Sequence, residues 1–219
     1  MDTLRFAEEV LLLLLNEDKG KFVRVSDWST RYAFGGSVLM DLALENRIDT
    51  DLEKLILLDS TPLGDSLLDP MLAKIVQEPE THDIRYWVEH AGALEDEIRE
   101  GALERLIERG TLERREQRVL WVFRSQRYAI ADDKPARQVK LRILNLLFSD
   151  ELPTPRDIVT ICLADACGIF HQLLTERELK QVATRIAQLR KMDLIGQTVS
   201  KVIWDIDASI ASITPMQVY

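Results

Sequence analysis

The stretch Arg31 to Arg47, RYAFGGSVLMDLALENR, constrains the fold of this chain more than any other. A surface helix shows one apolar stripe, whereas here Ala33, Phe34, Val38, Leu39, Met40, Leu42, Ala43 and Leu44 cover nearly the whole circumference. Such a helix is buried on every side, so other helices must surround it. Gly35 and Gly36 stand inside it although each costs roughly 1 kcal/mol against Ala. Close approach of another backbone, or of a bound group, explains them, and close packing is the plainer of the two.

The flanking segments read mostly as helices. Thr3 to Asn16 has an acidic first turn and a leucine-rich body, Lys21 to Val25 alternates as a short strand would, and Ser26 and Asp27 are N-cap candidates. Leu55 to Leu58 reads as a buried strand. The segment Thr61-Pro62-Leu63-Gly64-Asp65 excludes helix and reads as a structural turn. Helices follow over Leu67 to Gln77, Thr81 to His90 and Ala93 to Arg109, the last closed by Gly110. Thr111 to Arg124 predicts a β-hairpin with Glu113 to Gln117 near its tip. Lys134 to Phe148, Pro155 to Leu173, Glu176 to Lys191 and Thr198 to Ser212 complete a mainly α chain.

Composition and charge narrow the function classes. The 219 residues, 46% hydrophobic and 30% charged, suit one substantial core or two small ones sharing a helix. The net charge of −9 disfavours a partner that must be drawn to the whole surface as an anion. From Arg99 to Arg142, however, 12 Lys and Arg face 7 Asp and Glu, a net of +5 against −14 for the remainder. An anionic partner is therefore expected to meet the middle third. Nucleic acid is not expected: the hairpin with its arginines resembles the wing of a winged helix, but the preceding helix carries Glu95, Asp96, Glu97, Glu100, Glu104 and Glu108. Val10 to Leu15 falls far short of the roughly 20 apolar residues of a membrane span, and no basic region precedes it as in a signal peptide.

Few residues point to catalysis. Cys162 and Cys167 lie in an apolar run with no ligand cluster at metal spacing, so buried reduced thiols and a cytosolic setting are expected. His82, His90 and His171 are scattered, although the first two share a helix face at two turns' spacing. Asp165, inside an apolar run, needs a hydrogen bond or salt bridge, or else a raised pKa such as a catalytic acid has. Neither a cofactor nor a metal is expected. Trp28, with Arg24 and Arg31 nearby, is either a packing residue or an aromatic placed at a lipid interface beside guanidinium groups.

The segment Thr61 to Asp69, TPLGDSLLD, is similar to the TP-x-GD-x-LLD signature of the Golgi phosphoprotein 3 family, also called the GPP34 domain. Leu11 to Leu15, Gly35 to Ile48 (GGSVLMDLALENRI), Leu106 to Leu112 (LIERGTL) and Val202-Ile203-Trp204 fall where that family has similar segments. The resemblance covers nearly the whole chain. It implies a single compact helical domain over residues 1–219, with a central buried helix and a protruding β-hairpin that takes part in self-association and membrane contact.

In eukaryotes the family consists of cytosolic peripheral proteins that recognise phosphatidylinositol 4-phosphate on Golgi membranes and serve as non-enzymatic adaptors for glycosyltransferase tails. This short chain, without a long disordered N-terminal tail, is similar to the prokaryotic members. The family's headgroup pocket uses a Trp before the central helix, an Arg within it and two arginines three residues apart before the hairpin. Trp28 corresponds to the first and Arg99 to one of the pair, while Gly35 and Asp96 stand where the other two arginines would fall. Arg31, one turn before Gly35, is placed to reach the same point. The resemblance thus implies an adaptor on a cytoplasmic membrane face. Anionic headgroups would meet Trp28, Arg31 and Arg99, and Trp121, Val122 and Phe123 of the hairpin would contact lipid or a second subunit. Membrane-protein tails are further expected partners. The alternative is a self-assembling interaction module with no lipid role.

Overall fold

The computed structural model describes residues 3–16, 21–23, 25–51, 54–119 and 123–192. Its first helix, α1 (Phe6–Leu14), is buried along its whole length. The chain leaves it at Leu15, where the two-residue strands β1 (Leu15–Asn16) and β2 (Lys21–Phe22) pair antiparallel. The helix expected to run on to Asn16 is shorter by that strand.

The central helix α2 (Asp27–Leu44) starts four residues earlier than its apolar composition suggests, because the Ser26 side chain caps it by accepting the Ser29 N–H at 3.3 Å. Tyr32 through Leu42 are all buried. Around α2 pack α1, α3 (Asp69–Gln77), α4 (Ile84–Gly92), α5 (Glu95–Glu108) and α7 (Pro155–Ala166). The packing explains Gly35. A Cβ at that position would lie 2.5 Å from the Gly92 nitrogen and 2.8 Å from the Ala91 carbonyl carbon, so only glycine lets α4 approach this closely. Backbone contact, not a bound group, occupies the space beside Gly35.

Among the described residues three two-stranded antiparallel sheets accompany the helices. In the second, β3 (Ile48–Thr50) pairs with β4 (Leu55–Leu57). Only Leu55 of the expected buried strand is inside, whereas Ile56, Leu57 and Leu58 are exposed: a two-stranded edge has too little on its outer face to cover them. In the third, β5 (Leu112–Val119) and β6 (Phe123–Ile130) pair from Leu112↔Ile130 to Val119↔Phe123. Glu113 and Gln117 are therefore ladder residues, opposite Ala129 and Ser125, and not near a tip.

The C-terminal half continues with α6 (Lys134–Phe148), α7, α8 (Phe170–Leu173) and α9 (Glu176–Arg190). The expected helix from Pro155 to Leu173 is two: Gly168 takes φ +67°, a conformation that ends α7. Thr154 and Thr175 open α7 and α9 with reciprocal capping boxes to Asp157 and Glu178. The expected last helix, Thr198 to Ser212, lies outside the described residues. One hydrophobic core joins the elements, with Phe6, Phe34 and Phe170 among its largest fully buried side chains.

Candidate functional site

Two charged regions stand out, and the first is inside. Glu8 and Glu9 of α1, expected to be simple first-turn acids, are 0% and 1% exposed. Glu8 accepts the Arg5 backbone N–H at 2.7 Å and meets Arg109 at 2.9 Å and Arg105 at 3.5 Å. Glu9 meets Arg142 at 2.8 Å and Arg156 at 3.2 Å, and accepts the Thr160 hydroxyl at 2.6 Å. Asp41 of α2 accepts the Phe6 N–H at 2.8 Å, with Arg5 and Arg156 at 3.8 and 3.7 Å. Burial, against the pull of that N–H and of Arg156 and Arg5, pushes its carboxyl up to about 7.

The TPLGDSLLD turn belongs to this network. Asp65 receives Arg5 Nε at 2.9 Å and Arg105 at 3.3 Å, and Asp69 closes the turn by accepting the Leu63 and Asp65 N–H groups at 2.8 and 3.1 Å. Burial would raise the Asp65 pKa, but the Leu67 N–H, Arg105 and Arg5 outweigh it and hold the carboxyl below its usual value. The turn is structural, as its composition suggests. So is Asp165, which pairs with Arg190 at 3.3 Å while burial raises its pKa. Neither cysteine is in a disulfide and both are buried, and burial pushes the Cys167 thiol up to about 12. His82 precedes α4 and so shares no helix face with His90, although both rings stack on Tyr86, at centroid distances of 3.6 and 3.8 Å. Among the described residues no group of three His, Cys, Asp or Glu is placed to hold a metal.

The second region is at the surface, where α2 begins. Trp28, in its first turn, is 42% exposed. The Arg31 guanidinium lies 5.8 Å from the Trp28 ring centroid and 6.0 Å from that of Tyr32. Its Nε donates to the Gly92 carbonyl at 3.1 Å, the C-terminal end of α4, where a cation also suits the helix dipole. Arg31 therefore sits beside Trp28 without reaching across Gly35, whose place is filled by the α4 backbone.

Arg99 lies elsewhere on this face. It lines a pocket of about 480 Å³ that neither Trp28 nor Arg31 lines. The pocket has an apolar floor including Leu11, Leu14, Val25, Phe34 and Leu103, and a rim of Asp27, Thr30, Glu95, Arg99, Glu100 and Tyr128. Arg99 Nη2 donates to Asp96 at 3.2 Å, with side chains 51% and 91% exposed. Glu95 is half-buried, and its pKa is raised by desolvation, opposed by Arg99 and a Thr30 hydrogen bond and reinforced by Asp96 and Asp27. Glu100 accepts the Tyr128 hydroxyl at 3.2 Å and Arg114 at 3.4 Å. The acidic rim was not singled out from the sequence: Asp27 lies far along the chain from Glu95 and Glu100 of α5, and nothing in the spacing announces that they share a mouth. Of the hairpin residues expected at a membrane or subunit contact, Trp121 and Val122 lie outside the described residues. Phe123 opens β6 opposite Val119.

The chain matches the family model described as Golgi phosphoprotein 3 (GPP34) over residues 6–206. It belongs to that family. No curated protein matches it significantly. Family membership fits the mainly helical architecture, and four of the five segments quoted above have a physical meaning in the described structure; Val202 to Trp204 lies outside the described residues. Glu8 and Glu9, just before Leu11 to Leu15, Asp41 in GGSVLMD, Asp65 in TPLGD and Arg109 in LIERG meet in one buried network, so these GPP34-like segments carry the fold. Among the described residues no helix is long and apolar enough to cross a membrane.

Proposed function

We propose that this GPP34 protein is a non-enzymatic adaptor that docks reversibly on an anionic membrane surface through the face holding Trp28, Arg31 and Arg99. The observation that carries this reading is the exposed Trp28 ring with the Arg31 guanidinium fixed beside it: an amphipathic aromatic that enters the interface next to a cation that pairs with a phosphate. Coulomb attraction steers the protein and apolar insertion holds it. Phosphatidylinositol 4-phosphate is the headgroup that family resemblance implies. With Gly35 and Asp96 at two of the pocket's arginine positions, we infer weak selectivity for it, because an inositol phosphate would meet one arginine amid carboxylates. Juxtamembrane tails of membrane proteins are the proposed cargo.

Co-sedimentation with vesicles tests the reading. Vesicles of phosphatidylcholine alone, with phosphatidylglycerol, or with phosphatidylinositol 4-phosphate are compared at low and physiological salt. Binding to both anionic compositions, weakened by salt and lost in Trp28→Ala with Arg99→Glu, is expected. Unchanged binding by that variant would disprove the assignment of the face. A second reading, self-assembly through the hairpin, draws on its sheet, which among the described residues holds two eight-residue strands to whose edge a strand of another chain would add. A monomer in sedimentation at micromolar concentration counts against it.

A further inference from the structure

The described lining of the pocket near Trp28 and Arg31 does not suit a polyanion. Among its described lining residues Arg99 is the single cation, facing the carboxylates of Asp27, Glu95 and Glu100. A multiply charged phosphate would gain one guanidinium and meet three carboxylates, and a plain ammonium would meet Arg99. A ligand carrying both charges on a short arm satisfies both. Glu100 is already held by the two donors Tyr128 and Arg114, whereas Glu95 has the Thr30 hydrogen bond and the charge of Arg99, so Asp27 and Glu95, on the first turns of two different helices, are the carboxylates placed to face a cation. Desolvation and its acidic neighbours disfavour the ionised form of Glu95, so an incoming ammonium relieves that strain on the charge. Arg99 is tied to Asp96 by a surface contact, and such contacts hold little, so its guanidinium is free to turn inward. Beneath the rim, Leu14, Phe34 and Leu103 offer apolar wall to a glycerol backbone and the first acyl carbons. The volume, about 480 Å³, is within the usual range for a small ligand.

We propose that this pocket seats the phosphoethanolamine headgroup of phosphatidylethanolamine, with Arg99 on the phosphodiester and Asp27 and Glu95 on the ammonium. The inference rests on the membrane-docking reading and names the headgroup that gives it selectivity. Phosphatidylcholine lacks the N–H donors that the two carboxylates require, and phosphatidylserine adds a carboxylate that they repel.

Titration calorimetry with dihexanoyl phosphatidylethanolamine, kept below its micelle concentration, tests this on the whole chain. The ethanolamine lipid should bind about tenfold or more tighter than its choline analogue, the low end for charge-assisted hydrogen bonds gained by one and denied to the other. Glu95→Gln should abolish that preference. Glu97→Gln, the same charge change on an exposed residue of α5 outside the pocket lining, should keep it, and Arg99→Gln should weaken both lipids. Equal binding of the two lipids, or binding of neither, overturns the proposal. Because the short-chain probe needs no bilayer, retained binding of it by a protein that sediments with no vesicle would overturn the membrane reading alone.

Discussion

The inner network around α1 and the outer rim around Arg99 are made of the same side chains, arginines and carboxylates, yet burial gives them opposite uses. Inside, Glu8, Glu9 and Asp41 have lost nearly all contact with water and are held by arginines from α5, α6 and α7 and by backbone N–H groups. Desolvating these charges is costly, and only dense pairing offsets it, so the network is locked to one geometry. Outside, Arg99 and Asp96 stay hydrated and their pairing is weak. What is lost in stability there is kept as freedom to bind something else. Positions that hold the fold and positions proposed for recognition thus differ in solvent exposure, not in residue type.

Substitutions sharpen the comparison in order of expected effect. Glu8→Ala would leave Arg105 and Arg109 facing an emptied site, and denaturant unfolding should show a loss of about 3 kcal/mol. Gly35→Ala would drive a Cβ into the Gly92 backbone and should cost about 1–3 kcal/mol in the same assay, with Gly35→Arg failing to fold. An arginine is therefore excluded at this position by packing alone. At the outer rim, Asp96→Asn should change stability by less than about 1 kcal/mol while altering lipid binding, and a large loss of stability would erase the distinction between the two regions.

The two inner carboxylates Asp41 and Asp65 should also respond oppositely to pH. The folded-state pKa of Asp41 is raised from 3.8 to about 7, so its protonated form favours the fold: that contribution is complete below about pH 4 and is lost as pH rises through about 7. Asp65 is held below 3.8, so its contribution is present above that value and is lost as pH falls through the lowered pKa. Melting temperatures of Asp41→Asn should therefore lose part of the decline between pH 4 and 7, and melting temperatures as steep as those of the parent would show that Asp41 does not titrate in that range.

Much of the fold is legible locally. The apolar circumference of Arg31 to Arg47, the Pro and Gly of Thr61 to Asp65 and the Thr154 and Thr175 caps each set an element through its own backbone and side chains. The site was less legible. Trp28 and Arg31 are one helical turn apart, so their proximity follows from the chain alone. Arg99 comes from α5, and what it faces depends on how α5 packs against α2, which no spacing along the chain encodes. The run from Ile56 to Leu58 misled for a related reason: its residues favour burial, but nothing is packed outside β4.

The sequence by itself determined the family, the central buried helix and the reduced, buried state of the cysteines, because periodicity, capping and composition act within a few residues. Only the tertiary structure decided that Glu8 and Glu9 are core residues, that Gly35 is filled by backbone, and that Arg99 faces Asp27 and Glu95. Charge pairing and desolvation act between groups more than a hundred residues apart in sequence, as in Glu9 with Arg142, and no spacing along the chain encodes which of them will meet.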